Sequence, residues 1–366
     1  MAKIGLQVTL VSGGLPVTDL GLEGVHFVQL PPASAADLSF KGLIEPDGNA
    51  VTHDWKATRK SRLLDAWRVT NPHALIVELF PFGRRQMRFE LIPLLEAANQ
   101  AAHRPIVISS VRDILGGGQK DPARQNDMAQ AFEDYFDHVL VHADPAVMSF
   151  GRTFVHADRI QSKLHYTGFV VEQMKRRPAS GKAADVGSGE VLVSAGGGAV
   201  GMQLLETAIH ARRHSKLASR TWRVLAGVNA TDAGLAALTG KAQAAGEGRV
   251  VVEKARPDFP SLLANCAVSV SQAGYNTMME IVQSGSRAVV VPFAGGAETE
   301  QTLRARAFAE FGLLDMLEEA SLTAESLAES IDHAATRARA PKVVIDLEGA
   351  ARSASLTERW TSELRW

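Results

Sequence analysis

Short apolar strands alternate with helical segments along the chain, and this alternation occurs twice. β-rich apolar runs separated by helices are typical of parallel sheets covered by helices. We therefore expect an α/β protein with two doubly wound, Rossmann-like domains. The predicted strands are LQVTLVS, VHFVQL, ALIVELF, PIVISSV and HVLVHA in the first half, and VLVSA, WRVLAG, RVVVEK, AVSVSQ and RAVVVPF in the second.

The domain boundary is predicted within residues 172–190, EQMKRRPASGKAADVGSGE, which are rich in Gly, Ser, Ala and charge and have no sustained period. Such a stretch is typical of a linker. A chain of 366 residues is also too long for one ordinary core. The predicted organisation is an N-terminal domain at 1–172, a linker at 173–188, a C-terminal domain at 189–345 and a final helix at 346–366.

The composition is that of a soluble globular protein, with 46% hydrophobic and 22% charged residues and a net charge of −1. This balance does not favour nucleic-acid binding. The apolar runs are of strand length, and the first residues do not have the pattern of a signal peptide, so we expect a cytoplasmic protein. Cys266 is the only cysteine, which argues against a disulfide framework and favours a buried small residue.

The first residues, MAKIG, read as the end of a helix with Gly5 as its C-cap. A doubly wound domain usually begins with a strand and a glycine-rich turn. We therefore expect the N-terminal domain to lack its first strand and glycine loop, while a short disordered start is the simpler alternative.

A glycine-rich loop follows the strand at Val191 and spells G-x-G-x-x-G through Gly196, Gly198 and Gly201. Glycines between a strand and a helix let the backbone approach a phosphate at the helix N-terminus. A dinucleotide and a nucleotide-sugar diphosphate fit this loop equally well, and a tight turn without a ligand is the third interpretation. The ribose-binding acid of the dinucleotide fingerprint comes late, at Asp232.

A second strand–loop–helix unit, starting at Ala267, has polar residues where a plain turn needs none. Ser271, Gly274, Asn276 and Thr277 precede or open the helix that carries Glu280. Asn and Thr at such positions can cap the helix and also contact a ligand. A further loop after RAVVVPF presents Glu298, Glu300 and Gln301, whose carboxylates and amide suit sugar hydroxyls.

These motifs resemble the C-terminal half of the MurG-like glycosyltransferases, glycosyltransferase family 28, which have the GT-B fold. The resemblance covers residues 189–345 and is quite specific there. The first half resembles the family only in its alternation of strands and helices, and short segments of it resemble a bacterial branch of predicted glycosyltransferases. The matching residues are Ser271, Ala273, Gly274, Thr277, Glu280, Gly285, Val291, Pro292, Glu300 and Gln301.

The resemblance implies two domains facing across a cleft, with a nucleotide-sugar donor bound to the second and an acceptor to the first. It implies a UDP-sugar donor carrying a hexose such as an N-acetylhexosamine, with no metal or other cofactor. Glu280 would bind the ribose, and Arg256 and Phe259 would lie near the base. The diphosphate would contact Gly196, Gly197, Gly198, Ser271, Gly274, Asn276 and Thr277, and the donor sugar Glu300 and Gln301.

The sequence departs from the family at two points. Arg287 stands where the family usually has a proline. The family's N-terminal glycine-rich loop with a histidine, which serves the acceptor, has no match.

Glu78, at the end of ALIVELF, and Asp113, after PIVISSV, are the candidates for the base that activates the acceptor hydroxyl. Salt bridges and helix caps are the alternatives for both, and for Arg84 and Arg85, which could meet an acidic acceptor.

Other features of the first half have two interpretations each. His138 and His142 lie on the same face of one predicted strand. They could be two ligands of a metal ion, but two ordinary strand histidines are the preferred interpretation. The run at 79–82, LFPF, is a packed loop or a membrane-contacting patch for a lipid-linked acceptor.

The predicted function is hexosyl transfer from a UDP-sugar to an unidentified acceptor hydroxyl, on a glycan or a lipid-linked molecule. Three alternatives stay open: a nucleotide-sugar hydrolase of the same fold, a non-catalytic donor-binding subunit, and an NAD-dependent oxidoreductase that rests on the glycine fingerprint alone.

Overall fold

The computed structural model describes residues 1–17, 21–35, 42–115, 121–171, 186–195, 201–227, 230–295, 299–337 and 345–364. The chain divides into two compact units. Unit 1 comprises Met1–Val170 and Asp346–Trp366, and unit 2 comprises Val171–Ile345. The final segment of the chain therefore belongs to the first unit.

Unit 1 begins with a 3₁₀ turn at Ala2–Ile4, which Gly5 ends with a φ of 91°, as the C-cap pattern predicts. Its strands and helices are, in chain order, β1 (Val8–Ser12), β2 (Val25–Gln29), β3 (Ser34–Ala35), β4 (Leu43–Ile44), α1 (His53–Thr70), β5 (Ala74–Glu78), α2 (Arg88–Asn99), β6 (Ile106–Arg112), α3 (Pro122–Tyr135), β7 (His138–His142) and β8 (Leu164–Tyr166).

The parallel strands of unit 1 form two sheets in the part of the chain that the structure describes. Strands β1 and β2 pair with each other, and β5, β6, β7 and β8 form a second sheet in that order. The short strands β3 and β4 pair in antiparallel fashion. A buried ion pair joins the two helices beside the sheets, because Arg59 of α1 donates to Glu90 of α2 at 2.6 and 3.0 Å.

Unit 2 contains β9 (Val191–Ser194), α4 (Met202–Ala211), β10 (Trp222–Ala226), α5 (Asp232–Ala245), β11 (Val250–Lys254), α6 (Phe259–Asn265), β12 (Val268–Ser271), α7 (Tyr275–Ser284), β13 (Ala288–Val290), α8 (Glu300–Glu310), β14 (Asp315–Met316) and α9 (Ala324–Thr336). The six strands form one parallel sheet in the order β11-β10-β9-β12-β13-β14. Helix α10 (Gly349–Ser362) follows and returns to unit 1.

One face of the unit 2 sheet is apolar because helices α4, α5 and α9 cover it. Trp222, Val224 and Val270 are fully buried and pack with Leu205 of α4 and Ile331 of α9. Local signals set the helix ends. Thr323 and Ser326 form a capping box at the start of α9, and Gly285 ends α7 with a φ of 62°.

Helix α10 covers one face of the second sheet in unit 1. Trp360 and Leu356 pack on Ile108, Leu140 and Ile76, which alternate along their strands. The opposite face carries Val107, Val139 and Val141, all fully buried. This sheet is therefore covered on both faces, as expected for parallel strands.

All ten predicted strands are present, and the α/β class with parallel sheets is confirmed. Helices α5 and α9 and the short strands β3, β4, β8 and β14 go beyond the predicted elements. The loop at residues 79–82 is a packed loop rather than a membrane-contacting patch, because Phe80 and Phe82 are 1% and 2% exposed. Their rings pack against Phe132, Phe136, Phe150 and Phe154.

In the part of the chain that the structure describes, no helix has both the length and the apolar character needed to cross a membrane.

Candidate functional site

The strand order of unit 2 places a topological switch point between β9 and β12. The chain runs from β9 outward to β10 and β11, and then crosses to the other side of β9 to form β12 and β13. Loops that leave neighbouring strands in opposite directions open a crevice at the carboxyl ends, where ligands bind in such sheets. Both polar loops found in the sequence begin at this crevice.

Gly201 is the residue that brings the two loops into contact. It precedes α4 with a φ of 125°, and a Cβ atom there would lie 2.8 Å from Ala195 Cβ and 3.2 Å from Gln272 Oε1. Only glycine fits this close approach without strain. Gly196, Gly197 and Gly198 lie outside the described residues, so their contact with a phosphate stays a prediction.

Ser271, the last residue of β12, is 2% exposed, and its Oγ has no hydrogen-bond partner within the described ranges. A buried hydroxyl without a partner costs free energy, and such a group needs an explanation in a native fold. Its position at the switch point beside β9 supplies one, because a ligand there could provide the missing partner.

The N-terminus of α7 opens directly beyond Ser271. Gly274 is its N-cap, and no side chain caps this helix end. Asn276 is exposed, and Thr277 and Glu280 are partly exposed in the first turns. Free backbone N–H groups and the helix dipole at such an end favour an anion. The four residues therefore lie where a nucleotide diphosphate and its ribose could reach them.

Glu300 and Gln301 have structural partners that the sequence did not reveal. Gln301 Oε1 accepts hydrogen bonds from Ala273 N at 3.1 Å and from Phe293 N at 3.2 Å, so it ties together the loops after β12 and β13. Glu300 accepts a hydrogen bond of 2.7 Å from the buried Arg304. Gln301 thus joins the two loops, and Arg304, held by Glu300, donates to Ala273 O at 3.1 Å.

Arg256 follows β11, which is an edge strand of the unit 2 sheet, and Phe259 is the first residue of α6. Arg256 makes two hydrogen bonds to Asp258, at 2.8 and 2.7 Å, and one of 3.0 Å to Glu253. These bonds raise the pKa of Arg256 and lower the pKa of Asp258. The guanidinium is engaged by carboxylates, so the partly exposed Phe259 ring is the better candidate for contact with a base.

A cavity of about 210 Å³ lies against the α4 N-terminus. Sequence reasoning missed three of its lining residues. Gln272 lies between Ser271 and Ala273 at a position where the family motif allows any residue. Phe293 directly follows the motif residues Val291 and Pro292, so the motif singles out neither residue. Glu319 is distant in sequence and reaches the site by accepting a hydrogen bond of 2.8 Å from Ala294 N.

Asp232 does not stand at the end of a strand. β10 ends at Ala226, and Asp232 begins α5, where it pairs with Lys254 at 2.8 Å. A ribose-binding acid of a dinucleotide fold is expected nearer the strand end.

The two candidate bases of unit 1 differ in exposure. Glu78 ends β5, is exposed, and pairs with Arg84 at 2.7 Å. Asp113 is fully buried just beyond β6. A base must reach the proton that it removes, so the position of Glu78 is the more suitable.

The two strand histidines lie in separate hydrogen-bond networks. His138 Nδ1 lies 3.1 Å from His165 Nε2, and its ring stacks on Trp360. His142 contacts Ser110 and Thr167. The interpretation of two ordinary strand histidines therefore fits the structure better than a metal pair.

Residues 227–356 match the model of the glycosyltransferase family 28 C-terminal domain. This part of the chain is similar to the family 28 C-terminal domain. The match includes the switch-point loop after β12, both α7 and α8, and the first part of α10. The resemblance drawn from the second polar loop is confirmed.

Curated relatives match over short segments. The UDP-N-acetylglucosamine--N-acetylmuramyl-(pentapeptide) pyrophosphoryl-undecaprenol N-acetylglucosamine transferase of Synechocystis sp. is 29% identical over 106 residues, which is 27% of this chain and 30% of that protein. The protein of the same name from Dichelobacter nodosus is 35% identical over 74 residues, or 20% of each chain. The matches span less than a third of these relatives' length.

Solved structures of glycosyltransferases match over the whole chain. The calicheamicin glycosyltransferase CalG4 covers 100% of this chain with 93% of its own, at 16% identity and a TM-score of 0.62. MurG of Acinetobacter baumannii covers 99% of this chain with 91% of its own, at 13% identity and a TM-score of 0.57. The fold is therefore GT-B, as the resemblance implies.

Proposed function

We propose that the protein is a glycosyltransferase that moves a hexose, in particular an N-acetylhexosamine, from a UDP-sugar to an acceptor hydroxyl. The observation that carries this proposal is the switch point between β9 and β12, where the Oγ of Ser271 is buried beside the α7 N-terminus and has no hydrogen-bond partner among the described residues. A nucleotide diphosphate is the ligand whose oxygens would accept from this hydroxyl and from the N–H groups of two helix ends.

The names of the similar proteins support the nucleotide part of the proposal. The relatives from Synechocystis and Dichelobacter are named as transferases of N-acetylglucosamine from its UDP derivative. The spinosyn rhamnosyltransferase SpnG was solved with thymidine diphosphate, at 13% identity and a TM-score of 0.56. We infer a pyrimidine nucleotide donor, with Glu280 on the ribose, Phe259 near the base and the amide of Gln301 on the sugar.

Departure of the diphosphate builds negative charge on its oxygens. The N-termini of α4 and α7 and the Ser271 hydroxyl would stabilise that charge in the transition state more than in the ground state. The acceptor hydroxyl attacks the anomeric carbon, and its proton passes to a base. We propose Glu78 for that role, since it is an exposed carboxylate at the carboxyl edge of the unit 1 sheet. In this proposal the transfer needs no metal ion, and the buried residues 79–82 make no contact with a membrane.

Product analysis tests the activity. The full chain is incubated with UDP-N-acetylglucosamine and a mixture of alcohol acceptors, and UDP, free sugar and glycoside are quantified. We expect glycoside and UDP in equal amounts. The Glu78→Gln variant should lose about 10²- to 10⁴-fold in rate with its UDP affinity unchanged.

The outcomes separate the proposal from its alternatives. UDP with free sugar in equal amounts would identify a hydrolase. UDP binding without any turnover in the presence of acceptors would favour a donor-binding subunit. Reduction of bound NAD⁺ would overturn the proposal altogether.

A further inference from the structure

A row of polar side chains lies at the carboxyl ends of the neighbouring strands β5, β6 and β7 of unit 1. Along β5, β6 and β7, the face beneath α10 is apolar through Ile76, Ile108 and Leu140. The next residue on this face of each strand is polar: Glu78, Ser110 and His142. Three neighbouring strands therefore change from apolar to polar at the same edge, which is where ligands bind in parallel sheets.

Three of the polar groups form a continuous hydrogen-bond chain. Ser110 Oγ lies 2.8 Å from His142 Nε2, and His142 Nδ1 lies 2.9 Å from Thr167 Oγ1. Thr167, directly after β8, donates its own hydroxyl proton to the Gly168 carbonyl at 2.8 Å. The chain thus links β6, β7 and the end of β8.

The positions of the protons follow from the end of this chain. Thr167 Oγ1 lies 2.8 Å from the Gly168 carbonyl oxygen and 3.3 Å from the Val141 carbonyl oxygen, and both of these only accept. The single proton of the hydroxyl is best directed to one of them, so we assign the Thr167 oxygen as the acceptor of His142 Nδ1–H. The neutral imidazole then has a lone pair at Nε2, which accepts from Ser110 Oγ–H. Burial lowers the pKa of His142 to about 4, opposed by Glu78 and reinforced by Arg112, so the ring is neutral at pH 7.

We propose that Ser110 is a binding site for a hydroxyl group of the acceptor substrate, and that His142 and Thr167 are positioning residues that fix Ser110 as a hydrogen-bond acceptor. Ser110 is partly exposed, so its lone pairs can face a ligand. Glu78, its register partner on β5, also only accepts hydrogen bonds. The acceptor-substrate role rests on the proposed function.

The proposal states a substrate class. A sugar or polyol can donate hydroxyl protons both to Ser110 and to Glu78. A carboxylate only accepts hydrogen bonds, so it cannot bind Ser110 unless the bond to His142 breaks, which would leave a buried ring nitrogen without a partner. Arg112 is exposed at the end of β6 and would be the group that attracts an anion instead.

The proton positions can be measured without any substrate. The full chain is labelled with ¹⁵N-histidine, and long-range ¹H–¹⁵N spectra give the tautomer of each ring, with His142 assigned by its loss in His142→Gln. We expect a neutral ring with its proton on Nδ1 from pH 7 to pH 5, and a shift of the Nε2 resonance in Ser110→Ala. A proton on Nε2 would overturn the proposal.

Ligand-observed NMR at pH 7 tests the selectivity with two probes, methyl β-D-glucopyranoside and acetate, which only accepts hydrogen bonds. The glucoside should bind the wild type, with a dissociation constant about fivefold higher in Ser110→Ala. Ser109→Ala is the matched control, because that hydroxyl donates to Phe80 O on the opposite face, and glucoside binding should be unchanged. His142→Ala should lower the preference for glucoside over acetate, since it frees the proton of Ser110.

A glucoside affinity that Ser110→Ala does not change, or a wild type that binds acetate and not glucoside, would overturn the subsite. A UDP titration of the same samples separates this failure from failure of the proposed function. Bound UDP with no glucoside response would reject the subsite alone. The expected tautomer without UDP binding would reject the donor site alone.

Discussion

Replacement of Ser271 by alanine should change stability and nucleotide affinity in opposite directions. Its Oγ is buried and lacks a partner in the described part of the chain. A buried unsatisfied polar group costs about 1–3 kcal/mol, so its removal should raise the free energy of unfolding by about 1 kcal/mol. Unit 2 spans residues 171–345, and for a unit of this size that is an increase of about 2–4 °C in Tm.

The same substitution should weaken UDP binding. A hydrogen bond to a charged group contributes about 1.5–3 kcal/mol, so its loss raises the dissociation constant of UDP about tenfold or more. Differential scanning calorimetry gives the Tm, and isothermal titration gives the affinity. The two results together define a ligand-binding hydroxyl rather than a structural one.

Ser269→Ala is the matched control on the same strand. Ser269 is equally buried, but its Oγ donates to Arg287 O at 3.3 Å. Its removal should lower the free energy of unfolding by about 0.5–1.5 kcal/mol and leave UDP affinity unchanged. The reasoning is refuted if Ser271→Ala destabilises the protein as Ser269→Ala does while its UDP affinity stays at the wild-type value.

Three further variants test the account. Gly201→Ala should weaken UDP binding and lower the Tm, because the new Cβ would lie 2.8 Å from Ala195 Cβ. Gly240→Ala in α5 is the control, because its Cβ would meet open space and the change should raise the Tm. Arg59→Met should lower the free energy of unfolding, measured in urea, by about 3–5 kcal/mol because it leaves Glu90 buried and unpaired. The double variant with Glu90→Leu should recover most of that free energy. His138 should make the free energy of unfolding depend on pH. Burial and the neighbouring His165 lower the pKa of His138 to about 4, so the unfolded chain binds the proton more readily than the folded chain. The free energy of unfolding should therefore be highest above pH 6.5 and fall from there towards pH 4. Urea titrations at pH 7 and pH 5 should show a smaller pH effect in His138→Phe, and an unchanged effect would contradict this assignment.

The sequence predicted the fold well because the fold rests on local periodicity. Strand runs such as VLVSA and AVSVSQ became β9 and β12, and the polar loop after Ser271 pointed to the family whose C-terminal domain model matches residues 227–356. What the sequence left open depended on contacts between distant residues. In the sequence the run at residues 79–82 fits a packed loop or a membrane-contacting patch, and the structure shows the packed loop because Phe132 and Phe150 pack against Phe82.

The site was predictable only where its residues are close in the chain. The sequence predicts that Gln301 contacts the donor sugar, but it does not reveal that the carbonyl oxygen of this side chain joins two loops that contain Ala273 and Phe293. Ser110, His142 and Thr167 come from three strands, and nothing in the sequence links them. Their hydrogen-bond chain exists only because the strand register aligns the carboxyl ends.

Isothermal titration of the full chain with UDP, UDP-N-acetylglucosamine and NAD⁺ tests the central claim most directly. The Glu280→Gln variant and the exposed Glu329→Gln control are measured beside the wild type. The account predicts that both uridine nucleotides bind, that Glu280→Gln weakens them by about tenfold or more, and that Glu329→Gln binds as the wild type does. Binding of NAD⁺ without binding of UDP would contradict the account, and the glycine loop would then belong to a dinucleotide site.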